Sequence, residues 1–241
     1  MCPTTEIVIL ISANAEWQAV KTLLQPEELE KSPFGEFFLY QGVIYFHGGW
    51  GKIAAAASTQ YALDQFVPNL LVNLGTCGGF SGYIERGTIL LVTKTLVYDI
   101  LEQMSDPQEA IEHYSTTLDL SWLPDSVWRM VNHHSVHGSS AVVPGLLLSA
   151  DRDIVSEDIP VLVKKYNAIA ADWESGAIAW VTKRNQVRCM ILRGVTDLVG
   201  LSGGEAYGNP PLFHENTRKV MKTLLNLFEL WLPYLVKGDS R

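Results

Sequence analysis

Residues 70–79 read LLVNLGTCGG, a run that is apolar except for Asn73 and then carries three glycines in five positions. A short apolar run after Pro68 and before a glycine cluster predicts a buried strand at 70–74. The following Gly75-Thr76-Cys77-Gly78-Gly79 predicts a turn whose backbone lets a ligand come close. The same alternation extends in both directions. Residues 7–11 (IVILI) predict a second buried strand, followed by a helix over 15–24. Two weaker strands, 36–40 and 43–47, predict a hairpin around Gln41-Gly42. An Ala-rich helix is expected over 52–66, ending before Val67-Pro68. Further strands are expected at 89–93, 142–148 and 190–195, with 168–172 a short additional candidate. Helices are expected at 158–166, 174–184 and 215–235. Short apolar strands alternating with helices indicate an α/β fold around a largely buried sheet. Residues 99–125 have no clear period and read as a long excursion beside a binding site. No repeat or linker interrupts the pattern, so residues 1–241 read as a single domain.

The composition narrows the function. Of 241 residues, 47% are hydrophobic and 18% charged, which excludes a disordered chain and fits a compact core. Eighteen Lys and Arg against 26 Asp and Glu give a formal net charge of -8. That balance argues against binding the nucleic-acid backbone, which needs clustered cations, and leaves small nucleosides open. Cys2, Cys77 and Cys189 are odd in number and far apart, which suits a reducing compartment and no disulfide framework. No secretory pattern or apolar run of bilayer length is present. A cytoplasmic protein without membrane contact is expected.

Polar residues recur just after the apolar runs. Glu16 follows IVILI, Thr76 follows LLVNL, Asp151 and Asp153 follow GLLLSA, and Glu174 follows 168–172. Arg193 and Asp197 lie within and just after MILRGVT. If the strands run parallel, these side chains meet at the carboxyl edge of one sheet, where α/β folds bind ligands. A buried Arg193 needs an anion or a carbonyl as partner, and Glu16, Glu174 and Asp197 are candidates. Singly, Glu16 reads equally well as a first-turn acid and Asp197 as a cap. Their recurrence after strands favours a site. The glycine cluster is neither G-x-G-x-x-G nor G-x-x-x-x-G-K-[ST], and no G-x-S-x-G elbow occurs. His133, His134 and His137, followed by Gly138, read as a solvated helix end rather than a metal site.

Five segments, IVILISANAEWQAV, VNLGTCGGF, LLLSADRDIV, AADWESGAIAWV and LRGVTDLV, in this order and spacing resemble the nucleoside phosphorylase-I superfamily. The branch they are most similar to is that of the 5'-methylthioadenosine/S-adenosylhomocysteine nucleosidases. The resemblance runs from Glu6 to the C-terminal helix. It implies a central mixed sheet flanked by helices and a homodimer, for which the aromatic residues of 98–128 would suit an interface. By resemblance, Glu16 activates the attacking water, with Thr76 and Arg193 helping to hold it. Glu174 grips the ribose hydroxyls, Trp173 stands at the sugar where the branch usually has Met, and Asp197 protonates N7 of the departing purine. Asp153 and Ile154 fall where the family lines the base pocket, and Gly78 is expected among the substrate-binding residues. No metal or organic cofactor is implied.

The resemblance implies hydrolysis of an N-glycosidic bond, and the residues agree. The phosphate-using relatives carry arginines in the first-strand loop and before the glycine cluster. Here those stretches read Ser12-Ala13-Asn14-Ala15-Glu16 and Val72-Asn73-Leu74-Gly75. A phosphate dianion needs cations or amide donors, and Glu16 would repel it. The chain also departs from the branch at Ser149-Ala150-Asp151-Arg152-Asp153, where an acid replaces an aromatic that stacks on adenine. Two other readings stand beside a purine nucleosidase. One is a phosphorylase using Arg193 or Lys52 as its cation. The other is a silent nucleoside-binding protein of the same fold.

Overall fold

In the computed structural model, residues 6–133 and 141–237 are described. Strand β1 (Ile7–Ile11) has every side chain buried, as a strand covered on both faces requires. It leads into helix α1 (Asn14–Leu24), which turns Trp17 and Val20 inward. Strands β2 (Glu30–Ser32), β3 (Gly35–Tyr40) and β4 (Val43–His47) follow as an antiparallel set. Gln41 and Gly42 both have positive φ, 50° and 79°, the two-residue geometry that matches the twist of a hairpin. Helix α2 (Lys52–Phe66) ends where Val67 turns left-handed ahead of Pro68.

Strand β5 (Leu70–Phe80) forms the spine of the sheet. Its first half pairs in parallel with β1, and nearly its full length pairs in parallel with β10 (Arg188–Gly200). Strand β6 (Ile89–Val97) pairs antiparallel with β10 and parallel with β8 (Val142–Ser149). Strand β9 (Ala170–Asp172) joins β8 to the second half of β5. The pairings β5–β10–β6–β8–β9–β5 therefore close a ring of five strands. The short β7 (Thr116–Thr117) and β11 (Gly203–Gly204) extend β6 and β10. Helices α3 (Pro107–His113), α4 (Asp125–His133), α5 (Ile159–Tyr166), α6 (Ser175–Arg184) and α7 (Pro210–Lys237) complete the chain. Helices α1 and α7 pack together, as do α2 and α6, outside a mixed sheet. This is the α/β class that the alternation predicts.

Three expectations are corrected. The glycine cluster is not a turn, because β5 runs through it to Phe80, held by β10 on one edge and β9 on the other. Asp197 is not beyond its strand but inside β10, just past a register shift at Thr196. Such a bulge re-aims a side chain without ending the ladder. The excursion 99–125 runs beside the cavity described below without lining it. It holds α3 and β7, and its Asp99 carboxylate accepts from Lys52 and from the Asp151 backbone N–H. Helix α7 also starts earlier than expected, at Pro210-Pro211, where fixed φ suits a first turn. Of the three histidines, His133 ends α4, while His134 and His137 lie outside the described residues.

Candidate active site

The parallel strands β1, β5 and β10 all end at the same edge, and a cavity of about 460 Å³ opens there. Glu16, Thr76, Gly78, Asp153, Ile154, Trp173, Glu174 and Asp197 all line it. Arg193 does not; it lies fully buried behind the wall.

Glu16 stands in the first turn of α1, where the helix dipole favours an acid. One oxygen, Oε1, accepts from the Thr76 backbone N–H at 2.6 Å and the Thr76 hydroxyl at 2.8 Å. The other, Oε2, accepts from the Ala13 N–H at 3.1 Å. The carboxylate is thus clamped between β5 and the end of β1.

Arg193 organises the acids from below. Its Nε donates to the Ser175 hydroxyl at 2.9 Å, Nη1 to the Thr76 carbonyl at 3.3 Å and Nη2 to Asn73 Oδ1 at 2.8 Å. Asp172, Glu16 and Glu174 lie at 3.0, 3.5 and 3.6 Å from the guanidinium. A buried cation with these partners is satisfied and holds its proton more firmly than usual, the carboxylates outweighing the cost of burial. Asp172 in turn accepts from the Ser149 hydroxyl at 2.6 Å and from the Ser175 hydroxyl and N–H.

Glu174 precedes α6 and accepts the Gly51 N–H at 3.0 Å. Burial pushes its carboxyl up to about 8, with Arg193 pulling the other way. Asp197 is also raised, again by burial, while the Thr196 hydroxyl donating to it at 2.8 Å partly offsets the effect. Burial drives the Cys77 thiol far above its ordinary range, so this cavity residue supplies no thiolate.

Several contributors escape a reading of the sequence. Asn73 and Asp172 are polar residues in buried strands, and Ser149 and Ser175 complete their network. Asn73, alone within LLVNL, is the clearest overlooked signal. Trp50, Tyr207, Phe213 and His214 reach the cavity from loops and from the start of α7. The Trp50 and Trp173 rings meet at 5.1 Å between centroids. The Tyr207 hydroxyl donates to the Ile154 carbonyl at 3.0 Å, tying the loop after β11 to the loop after β8. Among the described residues no cluster of His, Cys, Asp and Glu is arranged to hold a metal ion.

A sheet edge with three clamped carboxyl groups, two of them raised, can hold hydroxyl groups, activate a water and deliver a proton within one cavity. The chain belongs to the phosphorylase superfamily, whose family model matches residues 7–230. A 5'-methylthioadenosine/S-adenosylhomocysteine nucleosidase of Maridesulfovibrio salexigens is 27% identical over 234 residues, covering 91% of this chain and 98% of the relative. In fold, the nucleosidase of that name from Helicobacter pylori, solved with butyl-thio-DADMe-Immucillin-A, matches with a TM-score of 0.76 at 18% identity, covering 94% of this chain and 99% of the other. The futalosine hydrolase of Helicobacter pylori matches with a TM-score of 0.75 at 17% identity, covering 94% and 98%.

Proposed function

We propose that this chain is a purine nucleosidase, hydrolysing the N-glycosidic bond of a nucleoside such as 5'-methylthioadenosine or S-adenosylhomocysteine. One observation carries the reading. Glu16, Glu174 and Asp197 face a single cavity, while the cation beneath them already directs its N–H groups at protein acceptors. The other candidate cation, Lys52, is paired with Asp99 and Asp151 and lies outside the cavity lining. Arg152, the cation in the lining, is paired with Asp158 at 3.2 Å, so among the described residues phosphate would meet carboxylates with every nearby cation already engaged, which favours water as nucleophile over the phosphorylase alternative. The nucleosidase and hydrolase names of the relatives support the same choice.

In this reading Glu16, held by Thr76 and by the Arg193 network, takes a proton from water as its oxygen bonds to C1' of the sugar. Glu174 accepts the ribose hydroxyls, with Trp173 packed beside the sugar. The C1'–N bond breaks with positive charge building on the sugar, which the nearby carboxylates stabilise. Its electron pair goes to the base, and Asp197 delivers a proton to N7. The raised Asp197 carboxyl suits that donation near neutral pH. Gly78 keeps the base end open: a Cβ there would lie 2.7 Å from the Ile154 side chain. The chemistry needs no cofactor.

A homodimer fits the exposed apolar side chains of Trp50, Ile53, Leu101 and Met104. The ion pair of Lys52 with Asp99 brings the two segments that carry them together near the cavity mouth. A cytoplasmic location fits the free, buried Cys77 and Cys189, and no helix among the described residues is long and apolar enough to cross a membrane. Incubation with a panel of purine nucleosides in phosphate-free buffer, with assay of free base, tests the function. Release of base supports hydrolysis; release only with phosphate overturns it.

A further inference from the structure

Two consecutive N–H groups at the start of α2 are taken by carboxylates from elsewhere in the chain. A helix leaves its first N–H groups without partners of its own. Helix α2 brings neither a capping side chain, since Gly51 stands at its start, nor an acid in its first turn. Glu174 Oε1 accepts the Gly51 N–H at 3.0 Å, and Asp151 Oδ1 accepts the Lys52 N–H at 2.8 Å. Asp151 is itself held on two sides. Its backbone N–H donates to Asp99 Oδ2 at 2.8 Å, and Lys52 Nζ, bonded to Asp99, lies 3.5 Å from Asp151 Oδ2. Lys52, Asp99 and Asp151 therefore close a circuit that joins the loop after β8 and the segment after β6 to the peptide beside Glu174. Gly51 has a φ of 85°, which suits glycine, and a Cβ there would lie 3.3 Å from Asp151 Oδ1.

Glu174 is buried, and its other oxygen faces Arg193 at 3.6 Å. The Gly51 N–H fixes the carboxylate from the side of α2, and it favours the charged form of a group that burial raises. Trp50, the residue before Gly51, meets Trp173 on the cavity wall. Asp151 does not line the cavity, so it reaches the sugar site only through this backbone. We propose that Asp151 is a positioning residue: by holding the Lys52 N–H, it aims the neighbouring Gly51 N–H at Glu174 and so fixes the carboxylate that receives the ribose hydroxyls. The inference rests on the nucleosidase reading, which assigns Glu174 to the sugar.

Adenosine and 2',3'-dideoxyadenosine share a base and differ in the hydroxyls that Glu174 would hold, so comparing them separates positioning from a general structural loss. Asp151→Ala should lower kcat/KM for adenosine by about tenfold or more, since small displacements within a site carry losses of that order. The loss on the dideoxynucleoside should be much smaller. Asp151→Asn keeps an oxygen for the Lys52 N–H and should recover most of the adenosine rate. Lys52→Met, which frees one oxygen of Asp151 and leaves every backbone N–H in place, gives the same comparison if Asp151→Ala does not fold. A loss concentrated on adenosine and recovered in Asp151→Asn supports the inference. Equal losses on the two nucleosides, no loss in the folded variants, or Asp151→Asn as impaired as Asp151→Ala overturns it. Calorimetric binding of both nucleosides to the same variants carrying Glu16→Gln, where turnover is suppressed, reads the preference without catalysis. Adenosine binding weakened selectively by Asp151→Ala, with no base released from any nucleoside by the wild type, would sink the nucleosidase reading and leave the role of Asp151 standing.

Discussion

Gly75 and Arg193 face each other across the parallel pairing of β5 with β10, and the guanidinium folds over the glycine so closely that a Cβ there would lie 2.0 Å from Nη1. The same Cβ would lie 2.9 Å from Glu16 Oε1. A strand glycine therefore makes the space in which the buried cation reaches its acids. Gly75→Ala should destabilise the protein by about 1–3 kcal/mol through overpacking. It should also lower activity in the molecules that still fold, because Glu16 is displaced. Thermal unfolding together with kcat on the folded fraction checks both; wild-type values in each would refute the packing argument.

Removing the cation should be worse than crowding it. Arg193→Met leaves Glu16, Asp172 and Glu174 without their shared partner, and breaking a buried pair typically costs about 3–5 kcal/mol. The loss should be partly recovered at low pH, where the stranded carboxyls protonate. Denaturant unfolding at pH 5 and pH 8 measures the difference. Equal destabilisation at both values would show that charge is not the cause.

Glu16→Gln and Asp197→Asn should each lower kcat by about 10²–10⁴-fold, the range for loss of a proton-transfer group, with folding retained. Equal kcat in either variant would remove that residue from its proposed role.

The Thr196 hydroxyl holds Asp197 below the value that burial alone would impose. Thr196→Ala should raise the Asp197 carboxyl further. The protonated acid is the donor, so activity falls as pH rises through its pKa, and the alkaline limb should move to higher pH in the variant. A kcat/KM profile against pH reads the shift; movement in the opposite direction would contradict the assignment of Asp197 as the acid.

Glu174 is raised from the ordinary carboxylate range to about 8. A carboxyl raised on folding contributes stability in full below its unfolded value, and that contribution is lost as pH rises through about 8. Glu174→Gln removes the titration. The Tm of the variant relative to wild type should therefore improve between pH 5 and pH 9 by at least about 2–4 °C, the change that about 1 kcal/mol makes in a chain of this size. Activity should fall at the same time. A Tm difference independent of pH would contradict the buried-acid description.

How much of this was legible depended on the range of the interactions involved. Helix α2 was readable from its run of alanines and from Val67-Pro68 after it, which are local signals. The β3–β4 hairpin was readable from Gln41-Gly42 for the same reason. The glycine cluster misled because its local preference is for a turn, while two neighbouring strands recruit it into β5. The acids after the strands could be found since parallel strands deliver their ends to one edge. Asp172 and Asn73 could not, because their meaning comes from an arginine 21 and 120 positions away in the sequence. Tyr207, Phe213 and His214 return to the cavity from a stretch with no period of its own.

In the proposed reaction water, and not phosphate, attacks the sugar. The most direct measurement is the rate of base release from 5'-methylthioadenosine as inorganic phosphate is raised from zero, with the sugar product analysed in parallel. Full activity without phosphate, with the free sugar as the product throughout, is expected. Activity that appears only with added phosphate, with the sugar recovered as its 1-phosphate, would contradict it.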